Sequence, residues 1–105
     1  MTLDRFKQVC EDNGLTVLFD QYGKYTITRA FFKNEIVASY DEKQIKCYTH
    51  PIVFCYANKT MMIDNGDGTE VYSASELEEN IVKAVCKLKK LLIKIKKFEI
   101  EKEFE

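Results

Sequence analysis

The sequence predicts an α+β fold in which a short N-terminal helix, an antiparallel β-meander sheet and a long C-terminal helix follow one another along the chain. Apolar residues near both ends recur at helical spacing. Between them lie short runs rich in β-branched and aromatic residues, separated by turns of two to four residues. Turns that short join antiparallel neighbours, because a parallel connection needs a crossover of about a dozen residues.

Length and composition indicate one domain over residues 1–105. With 46% hydrophobic and 31% charged residues, the chain can bury a modest core without disulfides or a metal. The net charge of −1 hides a split, because residues 73–105 carry eight lysines and seven glutamates in separate blocks. The overall charge therefore decides neither for nor against a nucleic-acid partner.

The first predicted element is an amphipathic helix over residues 3–12. Thr2 is a suitable N-cap, and the pair Asn13-Gly14 is a typical left-handed stop. The apolar residues at helical spacing are Leu3, Phe6, Val9 and Cys10.

Seven strand-like runs follow. They are residues 15–19, 25–32, 35–40, 44–48, 52–57, 60–63 and 69–72. The run 52–56 is apolar at every position, which is typical of a strand buried on both faces. We therefore predict that it lies at the centre of the meander.

The last third of the chain, residues 73–105, predicts one helix of about 45 Å. Both Ser73 with Glu76 and Ser75 with Glu78 fit a capping box at its start, and the sequence does not choose between them. The apolar positions form a continuous face, which we call the seam: Leu77, Ile81, Ala84, Leu88, Leu91, Ile95 and Phe98.

Lysines form a second feature of this helix. We define the lysine stripe as Lys83, Lys87, Lys90, Lys94 and Lys97, which fall within about 80° of one another opposite the seam. The stripe allows three interpretations: a solvated helix face, contact with nucleic-acid phosphates, or docking on an acidic protein surface. We predict that it binds a partner, with a protein as the first candidate and a nucleic acid as the alternative.

The end of the long helix predicts a further contact. A globule of this length is about 33 Å across, so a straight helix of about 45 Å should extend beyond it. Phe98, Ile100 and Phe104 would then lack cover from their own sheet, and we include them among the partner-binding residues. A homodimer is the simplest source of cover, while a foreign partner or a frayed helix end are alternatives.

Catalytic and metal-site patterns are weak in this sequence. His50 lies between Cys47 and Cys55, but a turn at residues 49–51 would pair Cys47 with Val53, so three metal ligands would not converge. The same cysteines with His50 lack a third orienting group for nucleophilic catalysis. We predict no catalytic residue, no metal and no cofactor.

The chain opens with Met1 and a charged helix in place of a signal peptide, and its four cysteines form no C-x-x-C pair. Its longest apolar run, residues 52–57, is far shorter than the roughly 20 residues of a membrane span. We expect a cytoplasmic protein with free thiols and no membrane partner.

The layout as a whole, with the C-terminal run LKKLLIKIKKFEIEKEFE, resembles small accessory proteins of phages and mobile elements. Anti-CRISPR proteins are one such group. The resemblance implies a non-enzymatic inhibitor that binds the surface of a host nuclease complex stoichiometrically. Many such inhibitors mimic nucleic acid with an acidic surface, and the lysine stripe departs from that pattern.

Overall fold

The structure, a computed structural model, describes residues 1–22, 25–57, 60–65 and 68–103. In chain order the elements are α1 (Leu3–Asp12), β1 (Thr16–Tyr22), β2 (Tyr25–Phe32), β3 (Glu35–Asp41), β4 (Lys46–Thr49), β5 (Ile52–Ala57), β6 (Thr60–Asn65), β7 (Thr69–Val71) and α2 (Ala74–Glu103). The predicted α+β order of short helix, antiparallel strands and long helix is confirmed.

Five strands form one antiparallel sheet with the order β1-β2-β3-β4-β7. The first four follow one another as a meander, and β7 pairs with β4, where Cys47 lies opposite Val71. The strands β5 and β6 form a separate antiparallel pair. The helix α2 contacts both strands of that pair as well as β3, β4 and α1.

The prediction that residues 52–56 form a central strand is wrong. The strand β5 pairs with β6 alone among the described strands, and Cys47 lies opposite Tyr40 and Val71 rather than Val53. The physical reason lies in the link between β4 and β5. His50 still donates its amide to Val37, but Pro51 has no amide to donate, so the chain leaves the sheet there.

Local signals account for most of the element ends. Thr2 accepts a hydrogen bond from the amide of Arg5, and Gly14 ends α1 with φ at +79°. Several strand ends differ from the prediction by one to three residues; β4, for example, begins at Lys46 rather than at residue 44. Ile45 has φ at +55°, a left-handed conformation that cannot continue a strand.

The core lies between the two helices and one face of the five-stranded sheet. Two pairs of neighbours on that face, Ala30 opposite Ala38 and Tyr40 opposite Cys47, are buried. The Phe6 ring of α1 packs on the Tyr40 ring with 5.6 Å between ring centroids. Both helices therefore cover the same face of the sheet.

Ser73 caps the start of α2, which settles the choice between the two capping boxes. Its hydroxyl accepts from the amide of Glu76, and the Glu76 carboxylate accepts from the amide of Tyr72. The first part of the predicted seam is confirmed as the core-facing side, since Leu77, Ile81, Leu88 and Leu91 are buried. Ile95 and Phe98, at its end, are only half-buried.

The described chain is elongated, as the length of α2 predicts. Its principal extents are 51 × 30 × 19 Å and its radius of gyration is 15.4 Å. A compact chain of this length would have a radius of gyration near 13 Å. None of the described helices combines the length and the apolarity needed to cross a membrane.

Candidate binding surface on the second helix

A cleft of about 340 Å³ lies where α2 crosses the five-stranded sheet. The sheet side of the cleft is formed by the end of β4, the link to β5 and the start of β7. The helix side is formed by the second to fourth turns of α2. Its lining residues are Thr49, His50, Pro51, Ile52, Thr69, Asn80, Lys83, Ala84 and Lys87.

Hydrogen bonds hold the polar walls of the cleft in place. The Asn80 side-chain amide donates to the Thr49 hydroxyl at 3.4 Å, which ties α2 to the end of β4. The His50 ring nitrogen Nε2 and the Ser39 hydroxyl are 2.9 Å apart. A Cβ added at Gly68 would lie 3.3 Å from His50 Cε1, so the glycine allows the chain to pass close to the ring.

All five residues of the lysine stripe are exposed. Within the part of the chain that the structure describes, one ion pair involves the stripe, and it joins Lys83 to Glu79 at 3.5 Å. Both partners of that pair are largely exposed, so the pair is weak and screened by solvent. The stripe therefore presents most of its positive charge to solvent.

The structure corrects the predicted position of the stripe. Lys83 and Lys87 do not point away from the domain, because they line the cleft together with Ala84 of the seam. The stripe thus occupies the flank of α2 on the β7 side rather than the side opposite the seam. Lysine stems commonly lie along a protein surface in this way while the ammonium groups stay in water.

A second row of lysines lies on the other flank of α2. Lys89 and Lys96, which we call the second row, are both exposed. The Lys89 ammonium lies 6.0 Å from the centre of the Phe32 ring on β2, whereas the cleft lies beside β7. The two flanks of α2 therefore both carry positive charge.

Between the two lysine rows lies an apolar line that the sequence analysis did not identify. We call it the outer line, and it consists of Val82, Cys86, Ile93 and Ile100, all exposed. Ile93 has 68% of its surface exposed and Ile100 has 47%. The spacing of seven from Cys86 to Ile93 and from Ile93 to Ile100 is visible in the sequence. The seam has the same heptad period, so the spacing alone does not show which of the two lines is exposed.

The three predicted apolar contact residues at the end of α2 have different environments. Ile100 belongs to the exposed outer line. Phe98 is half-buried and has a contact of its own, so it is not the bare side chain that the sequence predicted. Phe104 lies outside the described residues.

The environments of Cys10 and Cys47 do not favour nucleophilic chemistry. Burial raises the pKa of Cys47 to about 12, and burial together with Cys47 raises the pKa of Cys10 to about 12. A thiol of that kind is protonated near neutrality and is closed to a substrate. The Cys55 side chain lies outside the described residues.

No group of three or more histidine, cysteine, aspartate or glutamate residues in the described part of the chain is arranged to hold a metal ion. Cys10, Cys47 and Cys86 are free thiols.

The geometry defines a small α+β protein with a cleft and a basic, partly apolar helix surface. No protein-family model matches the chain, and comparison with curated proteins and with solved structures gives no match. The exposed lysines of α2 and the cleft beside them are therefore the features that bear on function.

Proposed function

We propose that the protein is a non-enzymatic binding protein whose lysine stripe docks on the acidic surface of a protein partner. The observation that supports this most directly is uncompensated charge. Seven lysines and no acidic residue occur from Val82 to Phe98. Like charges at this spacing cost a few tenths of a kcal/mol per pair in an isolated helix, and an acidic partner would relieve that repulsion.

The cleft supports a protein partner in particular. It opens beside Lys83 and Lys87 and is lined by Thr49, Thr69 and Asn80, which can donate hydrogen bonds. A glutamate or aspartate side chain of a partner fits such a place, because its carboxylate would meet two ammonium groups and neutral donors. The stripe then continues for about 15 Å from Lys87 to Lys97 and can follow an acidic surface.

A nucleic acid is the alternative partner. The stripe resembles a line of phosphate contacts, but α2 contains no arginine to form bidentate pairs. No aromatic residue stands between its lysines to stack on a base. These features favour the protein partner.

A host nuclease complex is the partner that the resemblance to phage and mobile-element proteins suggests. On this proposal the protein is an inhibitor of the anti-CRISPR type that acts by occupying a surface. An acidic surface on the nuclease complex would be its docking site, in contrast to inhibitors that imitate nucleic acid.

Charge reversal at paired positions tests the docking proposal. The variant Lys90→Glu/Lys94→Glu changes two stripe residues, and Lys46→Glu/Lys102→Glu makes the same charge change at two exposed lysines outside the stripe. Fluorescence anisotropy would measure binding to a polyglutamate peptide and to a short duplex DNA over a range of salt. We expect the stripe variant to weaken peptide binding by about tenfold or more and the control to change it less.

Two results would contradict the proposal. Tighter binding to the duplex than to the peptide, with a log–log salt slope near about −4.5 for five phosphate contacts, would establish the nucleic-acid alternative. Absence of binding to both probes at low salt would leave the stripe as a solvated helix face.

A further inference from the structure

The outer line gives α2 a second kind of surface. Cys86, Ile93 and Ile100 are separated by seven residues each, a spacing that drifts only about 20° per heptad around a straight helix. With Val82 they extend over about 27 Å of helix. All four side chains are exposed, and the described sheets and α1 lie on the other side of the helix. They therefore form one continuous apolar line on the solvent side.

Positive charge borders the central part of this line on both sides. Lys83, Lys87, Lys90, Lys94 and Lys97 lie along one border, and Lys89 and Lys96 lie along the other. Helix pairs that recognise each other have this arrangement, with apolar residues at heptad spacing and charges at the flanking positions. The flanking charges then decide which partner can approach.

The flanking charge argues against a second copy of this chain on the outer line. In an antiparallel pair with Ile93 of one copy beside Ile100 of the other, Lys96 and Lys97 of the two copies would lie against one another at the centre of the contact. Like charges at that distance suppress association. A partner with carboxylates at the corresponding positions would instead form attractive pairs along both borders.

The narrow width of the line argues for a helix rather than a bilayer. Helices that lie in a membrane surface present a broad apolar face. The outer line is one residue wide at most points, which matches a seam between two helices.

We propose that the outer line packs into the apolar seam of an acidic amphipathic helix of a partner protein, whose glutamates or aspartates lie over the two lysine rows. This inference rests on the proposed function, because the same lysines supply the charge. It adds the shape of the partner element and an apolar contribution to the contact.

Two synthetic peptides test the apolar contribution. One carries leucine at the a and d heptad positions and glutamate at e and g, and the other replaces every leucine by glutamine. Glutamates at e and g disfavour self-association of the peptides. We expect the leucine peptide to bind the full-length protein at least about tenfold more tightly than the glutamine peptide, since isoleucine side chains become buried.

Ile93→Gln and Ile45→Gln form a matched pair of variants. Both isoleucines are 68% exposed, but Ile45 lies in the turn before β4 rather than on α2. We expect Ile93→Gln to remove most of the preference for the leucine peptide and Ile45→Gln to retain it. The rate of alkylation at Cys86, assigned by mass spectrometry of peptides, should also fall when the leucine peptide is bound.

The outcomes separate this inference from the proposed function. Equal binding of the two peptides, with no effect of Ile93→Gln, would overturn the outer-line contact and leave lysine docking in place. Loss of binding to every acidic peptide would defeat the proposed function itself. A dimer mass in sedimentation equilibrium with Cys86 protected before any peptide is added would identify a second copy as the occupant. Binding to anionic lipid vesicles that is tighter than binding to the leucine peptide, and that is lost in Ile93→Gln, would identify a bilayer as the occupant. A second copy or a bilayer on the outer line would overturn the inference.

Discussion

The two halves of α2, residues 74–91 and 92–103, share one apolar periodicity but have different surroundings. Residues 74–91 contain four buried apolar side chains, whereas no described side chain in residues 92–103 is fully buried. Leu92, Ile95 and Phe98 continue the apolar periodicity but are only half-buried. The halves differ because the first lies across the sheet and α1, and the second extends toward the end of the elongated molecule.

The comparison shows that the apolar periodicity of a helix does not by itself determine how much of its apolar side is buried by neighbouring elements. An amphipathic pattern determines which side of a helix is apolar, while the length of the neighbouring elements determines how much of that side is buried. The first half contributes stability to the fold. The second half leaves apolar and charged groups exposed to solvent.

The largest expected difference in stability is between truncation of a buried apolar side chain in the first half and truncation of an exposed one in the second. Leu88→Ala would open a cavity at a side chain with no exposed surface, so we expect a loss of about 2–5 kcal/mol in the free energy of unfolding. Ile93→Ala, in the second half, removes an exposed side chain and places a better helix former, so stability should stay within about 0.5 kcal/mol. Urea denaturation measures both changes. Equal losses would contradict the division of α2 into packed and unpacked halves.

Alkaline pH should destabilise the core beneath the first half. Burial raises the pKa of both Cys10 and Cys47 to about 12, from the ordinary thiol value of 9.0. Above pH 9 the unfolded chain loses these protons while the folded chain keeps them, so the free energy of unfolding falls with rising pH until about pH 12. The slope approaches about 1.4 kcal/mol per pH unit for each thiol.

The measurement for this pH dependence is a series of thermal melts from neutral to alkaline pH. Cys10→Ala should show a shallower decline than the wild type, although its stability at neutral pH is also lower. Cys86→Ala, which changes the exposed thiol of the outer line, should decline as steeply as the wild type. An unchanged slope in Cys10→Ala would show that this thiol does not cause the effect.

Truncation after Lys97 should change stability only slightly. The deletion removes residues that are half-buried or exposed where the structure describes them, so the melting temperature should fall by only a few degrees, about 1 kcal/mol or less. A large loss would show that Phe98 and the residues after it belong to the core.

Sedimentation equilibrium on the same two proteins tests the predicted homodimer. A dimer mass for the full chain that becomes a monomer mass after truncation would establish a dimer through the end of α2. A monomer mass in both cases would defeat it, which would leave this segment for a foreign partner.

Much of the fold was predictable because local signals agreed with one another. The bounds of α1 follow from Thr2 and Gly14, and the seam of α2 follows from a sustained heptad pattern. The lysine stripe was also predictable, since charge is read directly from the sequence. The outer line was less visible, because exposure of Ile93 depends on where the sheet and α1 lie.

The sequence by itself determined the kinds of element, their order and the apolar and charged sides of α2, because these depend on residues a few positions apart. Tertiary structure alone decided that β7 rather than β5 pairs with β4, and that Ser73 rather than Ser75 caps α2. It also brought Thr49, Asn80 and Lys87 together at one cleft. The pairing of β7 with β4 depends on competition between residues far apart in the chain for the same strand edge, and no local pattern records that competition.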